Sequence, residues 1–208
     1  MGNAEKFSKK LLVEGSDDQH VVWALCEKYK IQETFDVIDC KGINPLKVQI
    51  PIRFKQSGVN TVGIIIDADV DLNTRWQSIR EILITIGFNI PNDLPSKGLI
   101  VENKIQKVGI WIMPDNNANG MLEDFIAFLV PQDDKLLPIA HSTLNELELK
   151  SLNPYATIHR SKALIHSWLA WQEDPGTPMG LSITKKYLTT DQAICQNLID
   201  WLTELFKS

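Results

Sequence analysis

One stretch constrains this chain more than any other: Val62-Gly63-Ile64-Ile65-Ile66-Asp67-Ala68-Asp69-Val70-Asp71. An uninterrupted aliphatic run rich in β-branched residues is a strand buried on both faces, the kind found at the centre of a parallel sheet. It ends on carboxylates. A buried strand cannot carry unpaired charge, so Asp67 and Asp69 fall at or just past its C-terminal end, the edge where open α/β sheets place ligands. Strand alternation puts both side chains on one side of the chain. Two acids that close repel each other unless something positive sits between them, and a hard cation such as Mg²⁺ meets that need. The competing reading is a solvated strand-to-helix turn in which an Asp caps the helix.

Around this strand the chain reads as alternating strands and helices. Lys10-Leu11-Leu12-Val13 is a short strand ending in Glu14-Gly15, and Asp17-Asp18 open a helix carrying Val21, Val22, Leu25 and Cys26. Acids at a helix start complement its dipole, which is the structural role open to Asp17 or Asp18. Phe35 to Cys40 is a second strand, followed by Gly42 and a helix from about Pro45, with Pro51 as a kink or a new first turn. Asn73 to Ile86 is amphipathic and stops at Gly87, with Trp76 on its core face. Leu99-Ile100-Val101 and Val108 to Met113 are two further strands, and Pro114 to Gly120 is an irregular loop. Met121 to Val130 is a helix with Glu123-Asp124 in its first turn. Beyond Pro131 no strand follows, and His141 to Leu152, Ser161 to Trp171 and Thr190 to Phe206 read as three helices. The expected fold class is α/β, a parallel sheet flanked by helices over residues 1–130, with a helical C-terminal extension over 131–208 packed on it as one compact unit.

Composition and charge narrow the function classes. The 208 residues are 44% hydrophobic and 23% charged, as in an ordinary globular protein. The start, Met1 to Lys6, lacks a signal-peptide run, and no segment is apolar and long enough to span a membrane, so a cytoplasmic location is expected. Cys26, Cys40 and Cys195 are widely spaced and suggest neither a zinc site nor disulfides. His20, His141, His159 and His166 form no zinc pattern either. A net charge of −5 argues against a broad basic nucleic-acid surface, although bound Mg²⁺ would offset most of it. There is no phosphate loop of the Gly-x-x-x-x-Gly-Lys kind and no Gly-x-Ser-x-Gly elbow.

In a parallel sheet all strand C-termini open on one edge, so Glu14 can approach Asp67 and Asp69, and Asp18, one helical turn on, faces the same space. With Val13-Glu14-Gly15 and Asp67-Ala68-Asp69 in that order, the chain resembles, over roughly Lys9 to Val130, a Toprim domain. That metal-binding fold is shared by topoisomerases, bacterial primases, recombination mediators and the overcoming-lysogenisation-defect nucleases. Trp111 to Asn116, Gly120 to Asp124 and Trp168 to Gly176 make the whole chain similar to a small stand-alone Toprim protein of unassigned function. The resemblance implies a nuclease acting on DNA or RNA with Mg²⁺ or Mn²⁺. It implies one ion on Glu14, Asp67 and Asp69, with Asp71 extending the acidic strand end, and a second ion near Asp18 and Glu123. It makes Glu14 and Lys162 the catalytic candidates. Met121 departs from the nuclease pattern, which has Ser there. The alternative is a non-catalytic, metal-dependent module binding nucleic acid or protein, as in recombination, repair or phage defence. Nucleic acid is the expected partner, with homo-oligomerisation open.

Other candidates have plainer roles. Trp168 and Trp171 at helical spacing are either core or a base-stacking surface. Lys185-Lys186 are a solvated pair or a phosphate contact, and Asp115 and Asn116 either complete a metal shell or make turns.

Overall fold

The computed structural model describes residues 5–207; Met1 to Ala4, part of the start read for a signal peptide, and Ser208 lie outside the described residues. The chain opens with β1 (Lys9–Val13), α1 (Ser16–Tyr29), β2 (Asp36–Asp39), α2 (Ile43–Lys55), β3 (Thr61–Asp67), α3 (Leu72–Thr85), β4 (Leu99–Glu102) and β5 (Lys107–Met113). The strands form one sheet in the order β2-β1-β3-β5-β4. β1 runs parallel to β2 and β3, and β3 parallel to β5. β4 departs from the expected all-parallel sheet and pairs antiparallel with β5. The short link explains it. A parallel return needs a crossover of roughly a dozen residues or more, whereas here Asn103 closes a hairpin by accepting from the backbone N–H groups of Ile105 and Gln106 at 3.0 and 2.9 Å.

Strand alternation splits the core into two layers. Leu12, Ile64, Ile66, Ile110 and Ile112 face α2 and α3 through Leu46, Ile50, Trp76 and Ile79. Leu11, Val13, Ile65, Trp111 and Met113 face the other way, towards α1 and the helices of the second part of the chain. Those are α4 (Leu122–Phe128), α5 (Leu136–Leu149), α6 (Arg160–Ala170), α7 (Met179–Thr184) and α8 (Ala193–Phe206). α5 begins before His141 because Pro138 is tolerated in its first turn. Pro51 lies inside a continuous α2.

The C-terminal helices build one face of the sheet. Gly63 and Gly109 are register partners, and a Cβ on either would come within 2.9 Å of Leu205 of α8. Two adjacent strands thus lack side chains where α8 presses closest, which is the reason for glycine inside otherwise aliphatic strands. α7, which the sequence reading does not contain, packs on α1, and a Cβ on Gly180 would stand 2.7 Å from the His20 carbonyl oxygen. No described helix is long and apolar enough to cross a membrane.

Candidate metal centre

β1 and β3 are neighbours whose outgoing connections leave to opposite faces, β1 into α1 on one layer and β3 into α3 on the other. That topological switch opens a crevice at their C-terminal ends, where α/β sheets bind ligands. Glu14 follows β1 directly, and Asp67 is the last residue of β3.

Four carboxylates converge there. Glu14 Oε1 accepts from the Asp67 backbone N–H at 3.0 Å, and Asp67 Oδ1 accepts from the Leu122 N–H at the start of α4 at 2.9 Å. Asp18, 6% exposed in the first turn of α1, accepts from the Gly15 N–H at 3.0 Å with Oδ2. Its Oδ1 is buried without a partner. Glu123, 3% exposed in the first turn of α4, lies 3.2 Å from Lys162 Nζ. Placing acids in the first turns of α1 and α4 suits both helix dipoles and aims both at the crevice.

The electrostatics follow from this crowding. Burial, with Glu14 and then Glu123 nearby, pushes Asp18 up to about 7 against the pull of the Gly15 N–H. Burial, followed by the charges of Asp18, Glu14, Glu123 and Asp69, drives Asp67 well above the usual carboxylate range. Glu14 is raised too, by burial first, with the Asp67 N–H and Arg75 opposing. Lys162 is held above its ordinary value because Glu123, then Asp67 and Asp17, outweigh the opposing effect of burial. Buried acids that raise one another's proton affinity in a crevice mark a place short of positive charge.

Asp69 and Asp71 behave differently from the expectation. β3 ends at Asp67, so alternation does not extend to Asp69, which has a left-handed φ of 54°. Its N–H and C=O both bond Gly120, each at 2.8 Å, and its carboxylate pairs with Arg75. It still reaches the cluster electrostatically, raising both Asp67 and Glu14. Asp71 does not join. Its carboxylate is the N-cap of α3, accepting from the Thr74 N–H at 3.0 Å and the Thr74 hydroxyl at 2.6 Å. The helix it starts needs that acceptor, so the proposed third acid of the strand end is a structural cap.

The loop from Pro114 to Gly120 fixes α4 against the turn after β3. Asn119 accepts from the Leu72 N–H at 2.9 Å and donates to the Val70 carbonyl at 2.7 Å. Gly120 has φ 142°, and a Cβ there would lie 2.7 Å from Asp124 Oδ2, so glycine is required. Asp115 accepts from the Asn117 and Ala118 N–H groups, and buried Asn116 accepts from the Ile112 N–H. Both hold the loop together. Asp124 accepts from the Met121 N–H at 2.8 Å and from the Ser161 hydroxyl at 2.5 Å. That second bond ties α6 to α4 and brings Lys162 to Glu123.

Arg75, Asn119, Asp124 and Ser161 escaped the sequence reading. Only Asp124 left a local signal there, an acid two residues into a helix start. Trp168 is core, donating to Asp134 at 3.1 Å, while Trp171 stays partly exposed. Lys185 pairs with Asp174.

Among the described residues no three His, Cys, Asp or Glu side chains stand as a ready-made ion cage. Each carboxylate is turned to its own amide or cation. The donor set nevertheless fits a hard divalent ion, being all oxygen and charge-rich, and Asp18 Oδ1 has no partner among the described residues.

The chain belongs to the family described as protein of unknown function (DUF3226), whose family model matches residues 8–207. No curated protein and no solved structure matches it.

Proposed function

We propose that this DUF3226 protein holds Mg²⁺ or Mn²⁺ at the C-terminal edge of β1 and β3 and cleaves DNA or RNA phosphodiester bonds there, in the manner of the Toprim nucleases its motifs resemble. One observation carries the reading: a buried, unpartnered carboxylate oxygen of Asp18 among Glu14, Asp67 and Glu123. Glu14, Asp67 and Asp69 would hold one ion, Asp18 and Glu123 a second. A bound ion would polarise the phosphate and lower the pKa of a water. Glu14 spends Oε1 on the Asp67 N–H, leaving its other oxygen for the ion or for the proton of the attacking water. Lys162, half exposed at the rim beside Glu123, supplies positive charge where the phosphate gains negative charge in the transition state. The same reading makes nucleic acid the partner and the cytoplasm the location, in keeping with three free thiols.

A second reading, a non-catalytic metal-dependent binding module, is favoured by the Arg75–Asp69 and Lys162–Glu123 pairs, which hold two of the acids without an ion. Cleavage assays on plasmid, single-stranded DNA and RNA, with Mg²⁺ or Mn²⁺ against EDTA, separate the two. Metal-dependent cleavage is expected, with turnover lowered roughly 10²-fold in Lys162→Met, the loss of one transition-state charge. Binding without cleavage selects the module. Turnover unchanged in Lys162→Met removes that residue from the chemistry.

A further inference from the structure

Arg75 occupies the first turn of α3, where a cation opposes the helix dipole, so the helix itself does not account for it. Its side chain is only 13% exposed, and its guanidinium pairs with Asp69 while also acting on Glu14. Asp69 is fixed differently from the other acids. Both its backbone groups are tied to Gly120 in an isolated bridge, so the residue cannot drift, and only its side chain is free to change partner. Asp69 also acts on the proton affinities of Glu14 and Asp67, so a cation bound by those two would compete with Arg75 for its carboxylate.

Resting on the reading of this edge as a cation site, we propose that Arg75 is the resident counter-ion of the cluster, a positioning residue that holds Asp69 while no ion is bound and yields it when a divalent cation arrives. The exchange is favourable because the cluster needs positive charge in either state and a divalent ion brings more of it to more carboxylates. A guanidinium cannot lose its charge, so the pair opens only by competition. Arg75 thereby sets how much free cation the site requires. Lys162, more exposed, pairs with Glu123 and not with Asp69.

The test is a titration of the chelator-treated full chain with Mn²⁺ alone, following free ion by electron paramagnetic resonance. Arg75→Gln should bind Mn²⁺ about tenfold tighter than wild type, the scale on which partners of metal ligands act, while the charge-retaining Arg75→Lys should stay near wild type. In an Asp69→Asn background, Arg75→Gln should lose its gain, because the competition runs through that carboxylate. Should Arg75→Gln fail to fold, Arg75→Met keeps the packing of the stem and carries the same expectation. Unchanged or weaker Mn²⁺ binding in the charge-removing variant overturns the proposal, as does a gain that persists in Asp69→Asn. Those results leave the cation site standing. Absence of Mn²⁺ binding in both wild type and the charge-removing variant fells the site itself.

Discussion

At the N-terminal end of β1 the buried ammonium of Lys10, 2% exposed, is met by Asp36 at 2.7 Å and Glu5 at 3.0 Å, with Arg53 closing the network on Glu5 at 2.8 Å. At the C-terminal end of the same strand Glu14, Asp67, Asp18 and Glu123 crowd together, with Arg75 paired to Asp69 and Lys162 to Glu123. The proton affinities record the difference. Burial alone would raise Asp36, but Lys10 and the N–H groups of Lys6 and Phe7 hold it below the ordinary value. Asp18 and Asp67, much more deeply buried and with like charges around them, are driven up. One end of the strand is complete in itself, and the other keeps its charges unbalanced at some expense in stability, as sites for ligands do.

The comparison breaks most visibly at Lys10. Asp36→Ala should destabilise the protein by about 3 kcal/mol in urea unfolding, since it leaves the buried Lys10 ammonium without its nearer partner. A loss below about 1 kcal/mol, as for a surface pair, would mean that this end is less self-sufficient than its geometry indicates.

The acidic end should respond in the opposite sense and by less. The pKa of Asp18 is raised on folding, so the stability tied to its protonated form is fully present below its unfolded value and lost as pH rises through about 7. Asp36, depressed on folding, contributes stability above its unfolded value that is lost as pH falls through its folded one. In EDTA at pH 8, Asp18→Asn should therefore be more stable than wild type, by about 2 kcal/mol as a discounted conversion of the shift. The advantage should vanish towards pH 4. An equal advantage at both pH values would place its origin outside the carboxylate's charge.

Much of this was legible in the chain. The aliphatic run of β3 announces a central parallel strand, and the acids at its end and after β1 announce the edge where they converge, because an unpaired charge cannot stay inside a strand. What escaped depended on tertiary detail. Placing Asp69 by strand alternation extends the strand two residues too far, across a left-handed turn held by its tie to Gly120. Arg75 came into view with that turn. Asp71 offered two readings, a ligand or a cap, and local sequence could not choose between them. The amphipathic pattern of α8 was readable, but its seat on Gly63 and Gly109 was not, since a hydrophobic face does not name what it covers. α7 is six residues long, too short for a period to show.

Whether the acidic edge takes a divalent ion is measured most directly by thermal unfolding of wild type and Asp67→Asn across a Mg²⁺ or Mn²⁺ series. A ligand that binds only the folded chain adds about 2.7 kcal/mol at a hundred times its dissociation constant. Wild type should unfold at progressively higher temperature as the ion is added, and Asp67→Asn should show little or no shift. Equal shifts in the two proteins, or none in wild type, would contradict the claim that these carboxylates form a metal centre.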